Sequence, residues 1–161
     1  MRIRTLALPV LALCALAATR PPQVTTPVTV ALSVGGKAYN GKGTGECTFA
    51  PIASIYGVRA QQYGVRLSGG IAGLKSLGLT VWRPAAGGAD QMNLYVTVGS
   101  ESHQIDTVKG GGKKEVGSGT VSVQRKGMGG RFTIGGKDAD GAAIRGTIEC
   151  ARFAAPNAVA G

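Results

Sequence analysis

His103 is the only histidine in the 161-residue chain, so catalysis by an imidazole group would depend on this one residue. It lies in the segment SESHQID, close to Ser100, Ser102 and Asp106. A catalytic triad draws its members from separate elements and places its nucleophile on a sharp turn, and the sequence has no GxSxG motif. On an extended strand His103 and Asp106 face opposite sides. We therefore predict no catalytic residue and no enzymatic activity, with a hydrolase centred on His103 as the alternative hypothesis.

Metal-binding patterns are equally sparse. His103 combined with Met92 or Met128 is a conceivable copper site. The segment KDADG resembles the start of a calcium loop, but the twelfth position counted from Asp138 is Glu149, which lies in a segment with the pattern of a strand. A hairpin closed by Asp-Gly explains the same residues. The segment GGGKK lacks the spacing of a phosphate-binding loop. We predict no metal site and no cofactor, and a metal-binding protein centred on His103 is a further alternative.

Aromatic and basic residues recur in SIYGVRAQQYGVRLSGG, which contains Tyr-Gly-Val-Arg twice. A spacing of seven places the two tyrosines on opposite faces of a continuous strand, unless the AQQ segment between the copies bends. One interpretation places the tyrosines, half-buried, at the edge of a scaffold. The other is a groove in which aromatic rings and guanidinium groups bind a sugar, a phosphate or an anionic lipid. The candidate ligand-binding residues are Tyr56, Arg59, Tyr63, Arg66, Trp82 and Arg83.

The N-terminus has the pattern of a secretory signal peptide, with the basic start MRIR, an apolar stretch and small residues at 15–17. We predict export, giving a periplasmic, secreted or outer-surface protein. The LALC segment ending at Cys14 resembles a bacterial lipobox, although Leu13 stands where a small residue is usual, so a lipid anchor on Cys14 is the alternative to simple cleavage. The apolar run is too short for a transmembrane helix, and we expect no membrane span after processing.

Processing leaves two cysteines, Cys47 and Cys150. In an oxidising compartment these two residues are expected to form a disulfide. Closing a loop of about 100 residues stabilises the fold by roughly 4 to 5 kcal/mol in the chain-entropy model.

Alternating hydrophobic residues recur in segments such as VTVALSV, LGLTVW and QMNLYVTV, which indicates strands with one buried face. Segments rich in glycine and charged residues separate them, as in KGGGKKEVGS and GKDADG. We predict an all-β fold, an antiparallel β-sandwich or small barrel of about 7–9 short strands with one disulfide. In the last strand Ile144, Ile148 and Cys150 share a face, so Cys150 is expected to lie inside.

The predicted organisation has one folded domain, in keeping with the length that remains after processing. Residues 1–17 form the signal peptide and residues 18–26 an extended leader. Residues 27–153 form a single β-sandwich domain, and residues 154–161 a flexible tail.

The chain is basic, with a formal net charge of +10. Removal of residues 1–17 takes away Arg2 and Arg4 and leaves a net charge of +8. A field of this sign attracts polyanions without selecting one. The expected partner is an anionic envelope lipid or glycan, or a protein. No motif of a specific nucleic-acid-binding module is present in the sequence.

A signal sequence, the segment VTVALSVGGKAYNGKGTGEC and the late segment GTIEC together resemble the lipoprotein-antigen family of mycobacterial envelopes. The same layout is similar to that of small uncharacterised exported bacterial β-proteins. The resemblance implies an exported β-sandwich with one disulfide at Cys47 and Cys150, and it carries over no catalytic residue. It also allows a purely structural envelope antigen as a third functional class.

Overall fold

The structure, a computed structural model, describes residues 24–156. This part of the chain contains no helix and therefore none long and apolar enough to cross a membrane. Its nine strands are β1 (Thr25–Val34), β2 (Lys37–Ile55), β3 (Val58–Ile71), β4 (Leu74–Pro84), β5 (Gln91–Val98), β6 (Glu101–Asp106), β7 (Ser118–Lys126), β8 (Gly129–Lys137) and β9 (Ala143–Cys150).

All strands belong to one antiparallel sheet in the order β6-β5-β4-β3-β2-β1-β9-β8-β7. The predicted all-β antiparallel fold is confirmed. The single curved sheet corresponds to the barrel alternative, because no second sheet packs against it within the described residues. β2, with 19 residues, is longer than the short strands expected, and its register shifts between Ala50 and Ala53.

The sheet nearly closes where β6 and β7 approach each other, and we term this gap the seam. Neighbouring strands alternate in direction, so the first and last of nine strands run the same way and cannot join in an antiparallel ladder. Residues 107–117 instead return along the gap. Val116 pairs with Asp106 through two backbone hydrogen bonds of 2.8 and 2.9 Å. The gap between β6 and β7 is therefore bridged by individual contacts and not by a continuous ladder of hydrogen bonds.

Alternate residues of the strands fill the interior, as the sequence pattern predicts. On β5, for example, Met92, Leu94 and Val96 are completely buried, whereas Tyr95 between them is exposed. Ile148 and Cys150 of β9 point into the same core, which confirms the predicted face of the last strand.

The predicted disulfide is present between Cys47 on β2 and Cys150 on β9, with a Cα–Cα distance of 6.2 Å and a sequence separation of 103 residues. β1 lies between these two strands in the sheet, so the bond spans β1 near its first residues. Both cysteines are buried. The bond therefore fixes an early strand to the last one inside the barrel.

The ordered domain extends slightly beyond residues 27–153. Thr25 and Thr26, at the end of the predicted leader, pair with Glu46 and Gly45. Ala154, the first residue of the predicted tail, donates its backbone N–H to the Cys47 carbonyl at 2.8 Å and accepts from the Phe49 N–H at 2.8 Å. The predicted signal peptide, Cys14 and the last five residues lie outside the described part of the chain.

Candidate functional site

The two ends of the barrel differ in their connections. The aromatic end carries the β2–β3, β4–β5 and β7–β8 connections, and the polar end carries the β1–β2, β3–β4, β5–β6 and β8–β9 connections. Antiparallel order places these two sets at opposite ends of the strands. The cluster of aromatic rings and the arginine side chains that contact it lie at the aromatic end.

Four aromatic rings close the interior at the aromatic end. Phe49 lies 4.8 Å from Tyr63, centroid to centroid, and Phe153 lies 5.7 Å from Tyr63 and 6.0 Å from Phe132. Tyr63 and Phe132 are fully buried, and Phe49 and Phe153 are half-buried. The edge-to-face arrangements of Tyr63 and Phe132 with Phe153 are favourable for aromatic quadrupoles. Phe153 comes from the segment after β9, so this segment completes the cluster.

Two guanidinium groups lie over this cluster. Arg125 stands 4.4 Å from the centroid of Phe49 and 5.7 Å from that of Phe153, and Arg83 stands 5.8 Å from that of Tyr63. Arg125 follows Val121 and Val123 on the inward face of β7, so the strand's alternation brings it to the barrel mouth. Cation–π contact with an aromatic face holds a guanidinium in place without a carboxylate.

The charge of Arg83 is neutralised, whereas that of Arg125 is not. Arg83 donates from Nε and Nη2 to Asp90 at 3.0 and 2.8 Å, and also from Nη2 to the Val123 carbonyl at 2.9 Å. The bonds to Asp90 raise the pKa of Arg83 above its ordinary value. Arg83 thus connects β4 to β7 at the aromatic end. Within residues 24–156 no carboxylate forms an ion pair with Arg59, Arg125 or Lys126.

The aromatic end also exposes hydrophobic side chains. Ile52, which is 78% exposed, lies at the register shift near the end of β2, and Met128, which is 68% exposed, lies in the β7–β8 connection. Tyr56 and Val58, at the β2–β3 turn, are 53% and 51% exposed. Six large hydrophobic residues of the described chain are exposed, and Tyr95 is the only one of them outside the aromatic end. Exposed apolar side chains gathered among cations are typical of an interaction surface.

Tyr56 occupies the tip of the β2–β3 hairpin. Tyr56 and Gly57 both have positive φ, 47° and 81°, as a two-residue hairpin turn of this type requires. The Tyr56 ring lies against Gly110 and Gly111, where a Cβ atom would come within 3.0 and 2.4 Å of it. The hairpin tip therefore contacts the connection that closes the seam.

The same connection is anchored by Asp106, whose side chain is buried. Burial acts to raise the pKa of Asp106, but hydrogen bonds from Lys113 at 2.6 Å, the Val108 N–H at 3.1 Å and Asn93 at 2.9 Å outweigh it and lower the pKa. One lysine of the GGGKK segment, Lys113, therefore forms an ion pair with Asp106. Lys114, next to it, is exposed.

The structure separates the predicted ligand-binding residues into three places. Arg59, Tyr63 and Arg83 share the inner face at the aromatic end, and Tyr56 lies at the hairpin tip of the same end. Arg66 and Trp82 face outward on the barrel wall. The two Tyr-Gly-Val-Arg copies are not structural equivalents, because the first forms a turn and the second a strand. The chain bends at Tyr56–Gly57 and runs straight through AQQ.

His103 lies on the same face of β6 as the buried Ile105, and its partner is Asp138 at the start of the β8–β9 connection. Nδ1 of His103 lies 2.6 Å from Oδ2 of Asp138. Oδ1 of Asp138 accepts the N–H groups of Asp140 and Ala142 at 3.0 and 2.8 Å. The bond to His103, together with those backbone bonds, lowers the pKa of Asp138 despite its burial. The pair joins β6 to the β8–β9 connection at the polar end of the seam.

No group of three or more potential metal ligands occurs among the described residues. Met128 is exposed at the aromatic end, far along the fold from His103 at the polar end, so these two do not form one site. Met92 is buried in the core.

The sequence interpretation missed Arg125, Phe153 and Ile52, and it considered Met128 only as a metal ligand. Alternation along GTVSVQRK contained the signal for Arg125, since Val121, Val123 and Arg125 share one parity. Its neighbours Phe49 and Phe153 are far away in sequence, and their approach depends on strand order. No family model, curated protein or solved structure matches the chain.

Proposed function

We propose that the protein is an exported, non-enzymatic binding protein that attaches to anionic lipid of the cell envelope through its aromatic end. The observation that carries the proposal is that exposed hydrophobic side chains and cations without an ion pair to any described residue lie together at one end of the barrel. Ile52 and Met128 provide the apolar tips, and Arg59, Arg125 and Lys126 provide the charge.

The apolar tips suit insertion at the boundary between lipid headgroups and acyl chains. Burying a side chain the size of isoleucine or methionine is worth about 1.5–3 kcal/mol. Tyr56, with an apolar ring and a polar hydroxyl, is a residue type favoured at that boundary. Neither tip fills a gap in the core, because Ile52 and Met128 are 78% and 68% exposed.

The cations supply the electrostatic part of the attraction. A lysine or arginine near an anionic membrane contributes about 1 kcal/mol, and the contribution falls with added salt. Arg125 is positioned by the faces of Phe49 and Phe153, so its charge is presented at the mouth at little cost in side-chain entropy.

The direction of the chain supports the same orientation. β1 starts at the aromatic end with Thr25. A lipid on Cys14, the alternative that the sequence offers, would be joined to the domain at this end. A single lipid chain binds membranes only reversibly, and a basic patch beside it supplies the second signal that stable attachment needs.

The test is cosedimentation of the purified protein with phosphatidylcholine vesicles, with and without phosphatidylglycerol, at low and high salt. We expect binding that requires phosphatidylglycerol and weakens with salt. The variant Arg59→Gln/Arg125→Gln/Lys126→Gln should bind about a hundredfold more weakly, since three contributions of about 1 kcal/mol are lost.

The matched control is Lys75→Gln/Lys137→Gln/Arg145→Gln, which removes the same charge from exposed positions at or near the polar end. It should retain most of the binding. Absence of binding by the wild-type protein, or an equal loss in both triple variants, would overturn docking through the aromatic end. Circular dichroism and thermal unfolding establish that each variant is folded.

A further inference from the structure

The outward wall of β3, β4 and β5 carries a second surface of different chemistry. Its side chains form three rows across the strands, set by the register of the sheet. The rows are Gln62–Trp82–Gln91, Gly64–Thr80–Asn93 and Arg66–Gly78–Tyr95. The middle row and Gly78 form the floor of a trough of about 500 Å³, which is also lined by Glu46 and Thr48 of β2 and by Pro156 of the C-terminal segment. Trp82 and Gln91 lie in the neighbouring row and do not line the trough itself.

We propose that this trough binds a neutral oligosaccharide. The site is independent of the membrane-docking end, because it lies on the barrel wall and uses other residues. Four strands at about 4.8 Å spacing give a floor roughly 14 Å long, which suits a short chain of sugar rings lying across the strands.

The floor glycine Gly78 has no structural reason to be a glycine. Its φ is not positive, and the register of β4 with both neighbours is regular there. A Cβ atom at Gly78 would meet nothing within 4 Å, so packing does not require its absence. Glycine inside a strand weakens it, and one frequent reason for its presence is the close approach of a ligand.

The chemistry of the rim selects an uncharged polar ligand. The lining of the trough contains two charged residues, Glu46 and Arg66, which are register partners of opposite sign, and its other residues are uncharged. Gln62 and Thr80 provide neutral donors and acceptors, as sugar hydroxyls require. Asn93 donates Nδ2 to Asp106 at 2.9 Å, which fixes its amide with the carbonyl oxygen as an acceptor.

One aromatic side chain, Tyr95, lines the trough, and a second, Trp82, lies in the neighbouring row. Tyr95 is 44% exposed and is the one large exposed hydrophobic residue away from the aromatic end in the described chain. Trp82 is the only tryptophan of the protein, and it lies half-buried on this wall instead of in the core. Rings with an apolar face and a polar edge suit the apolar faces of sugar rings and their hydroxyl groups.

The opposite wall provides the contrast. The outward residues of β7, β8 and β9 include Lys126, Arg131, Lys137, Arg145 and Glu149. This wall has no large exposed aromatic residue. Gly135 on β8 resembles Gly78 in its open surroundings, since a Cβ atom there would meet only the Thr120 hydroxyl at 4.0 Å. Gly135 is therefore the matched control position.

The experiment is titration of the purified protein with neutral oligosaccharides of glucose, mannose, galactose, arabinose and N-acetylglucosamine, followed by the fluorescence of Trp82. We expect a saturable, salt-insensitive change with at least one of them. Gly78→Val, which fills the floor with a residue that strands favour, should weaken binding by about tenfold or more. Tyr95→Ala should weaken it as well, and Gly135→Val should leave it unchanged.

The proposal is overturned if none of these sugars binds at millimolar concentration, or if Gly78→Val binds as well as Gly135→Val. Binding restricted to acidic oligosaccharides and abolished by salt would also overturn it. Gly78→Val should still sediment with phosphatidylglycerol vesicles like the wild-type protein, so the membrane and sugar proposals fail or succeed separately.

Discussion

The two ends of the barrel solve the same problem of chain reversal in different ways. Both ends have two-residue turns, but those of the polar end consist of small or polar residues, as at Gly35–Gly36 and Gly99–Ser100. At the aromatic end the β2–β3 hairpin extends beyond the barrel, Phe153 of the C-terminal segment packs into its mouth, and large hydrophobic tips face solvent. A turn that only reverses the direction of the chain does not need an exposed large hydrophobic side chain.

The contrast between the two ends indicates where a binding surface is to be sought. An exposed isoleucine or methionine side chain contributes little to folding stability. If the rest of the domain stabilises the local conformation, such a side chain is available to contact a binding partner. The buried disulfide and the aromatic cluster at the same end supply that stability. We therefore propose that the aromatic end is the binding surface and that the polar end serves as scaffold.

The largest effect should come from removing the disulfide near the aromatic end. Cys47→Ala/Cys150→Ala opens a loop of 103 residues, which the chain-entropy model values at about 4 to 5 kcal/mol of unfolding free energy. Denaturant titration measures the loss. Hydrogen exchange should increase more around Phe49 and Ala154 than at the turns of the polar end. A uniform increase would contradict the view that the bond chiefly secures the aromatic end.

The next largest effect should come from the seam at the polar end. His103→Ala removes the partner of the buried Asp138 carboxylate, and we expect a loss of about 1–3 kcal/mol in unfolding free energy. His103→Asn, which keeps a nitrogen donor near the position of Nδ1, should recover part of that loss.

The same variant separates the structural role of His103 from the hydrolase and metal hypotheses. If His103→Ala keeps full stability and instead loses a ligand-dependent or hydrolytic activity, His103 belongs to a functional site and the polar end is more than scaffold.

Much of the fold could be predicted from local sequence pattern, because alternation is a property of each strand alone. It predicted that Ile144, Ile148 and Cys150 share one face of the last strand, with Cys150 inside. The disulfide followed from the cysteine count once export was inferred. None of these inferences needs the order of the strands.

The site depended on information that is not local. Phe49, Arg125 and Phe153 meet only because β2, β7 and the segment after β9 converge at one mouth. The partner of His103 lies 35 residues away on a connection. The bend at Tyr56–Gly57 escaped prediction because Tyr-Gly lacks the usual Asn-Gly or Asp-Gly signature of such a turn.

A smaller effect should appear in the pH dependence of stability. The pKa of Asp138 is lowered in the folded state, first by the bond to His103, so its contribution is complete above its unfolded-state pKa of about 3.9. That contribution is lost as the pH falls through the folded-state pKa. Wild type should therefore lose stability more steeply below about pH 4 than Asp138→Asn. Equal slopes in acid denaturation would show that the pair does not secure the seam.

The smallest effect on stability should come from Tyr56→Asn. Whether this variant is more or less stable than wild type shows which role the Tyr56 ring has. Asparagine tolerates positive φ better than tyrosine and precedes glycine in favoured hairpin turns, so the fold should gain up to roughly 0.5 kcal/mol. The exposed ring is lost at the same time, so binding to phosphatidylglycerol vesicles should weaken. Thermal unfolding and cosedimentation measure the two effects. A variant that is less stable would instead mean that the ring's contact with Gly110 and Gly111 holds the hairpin to the seam connection, and Tyr56 would then belong to the scaffold of the aromatic end.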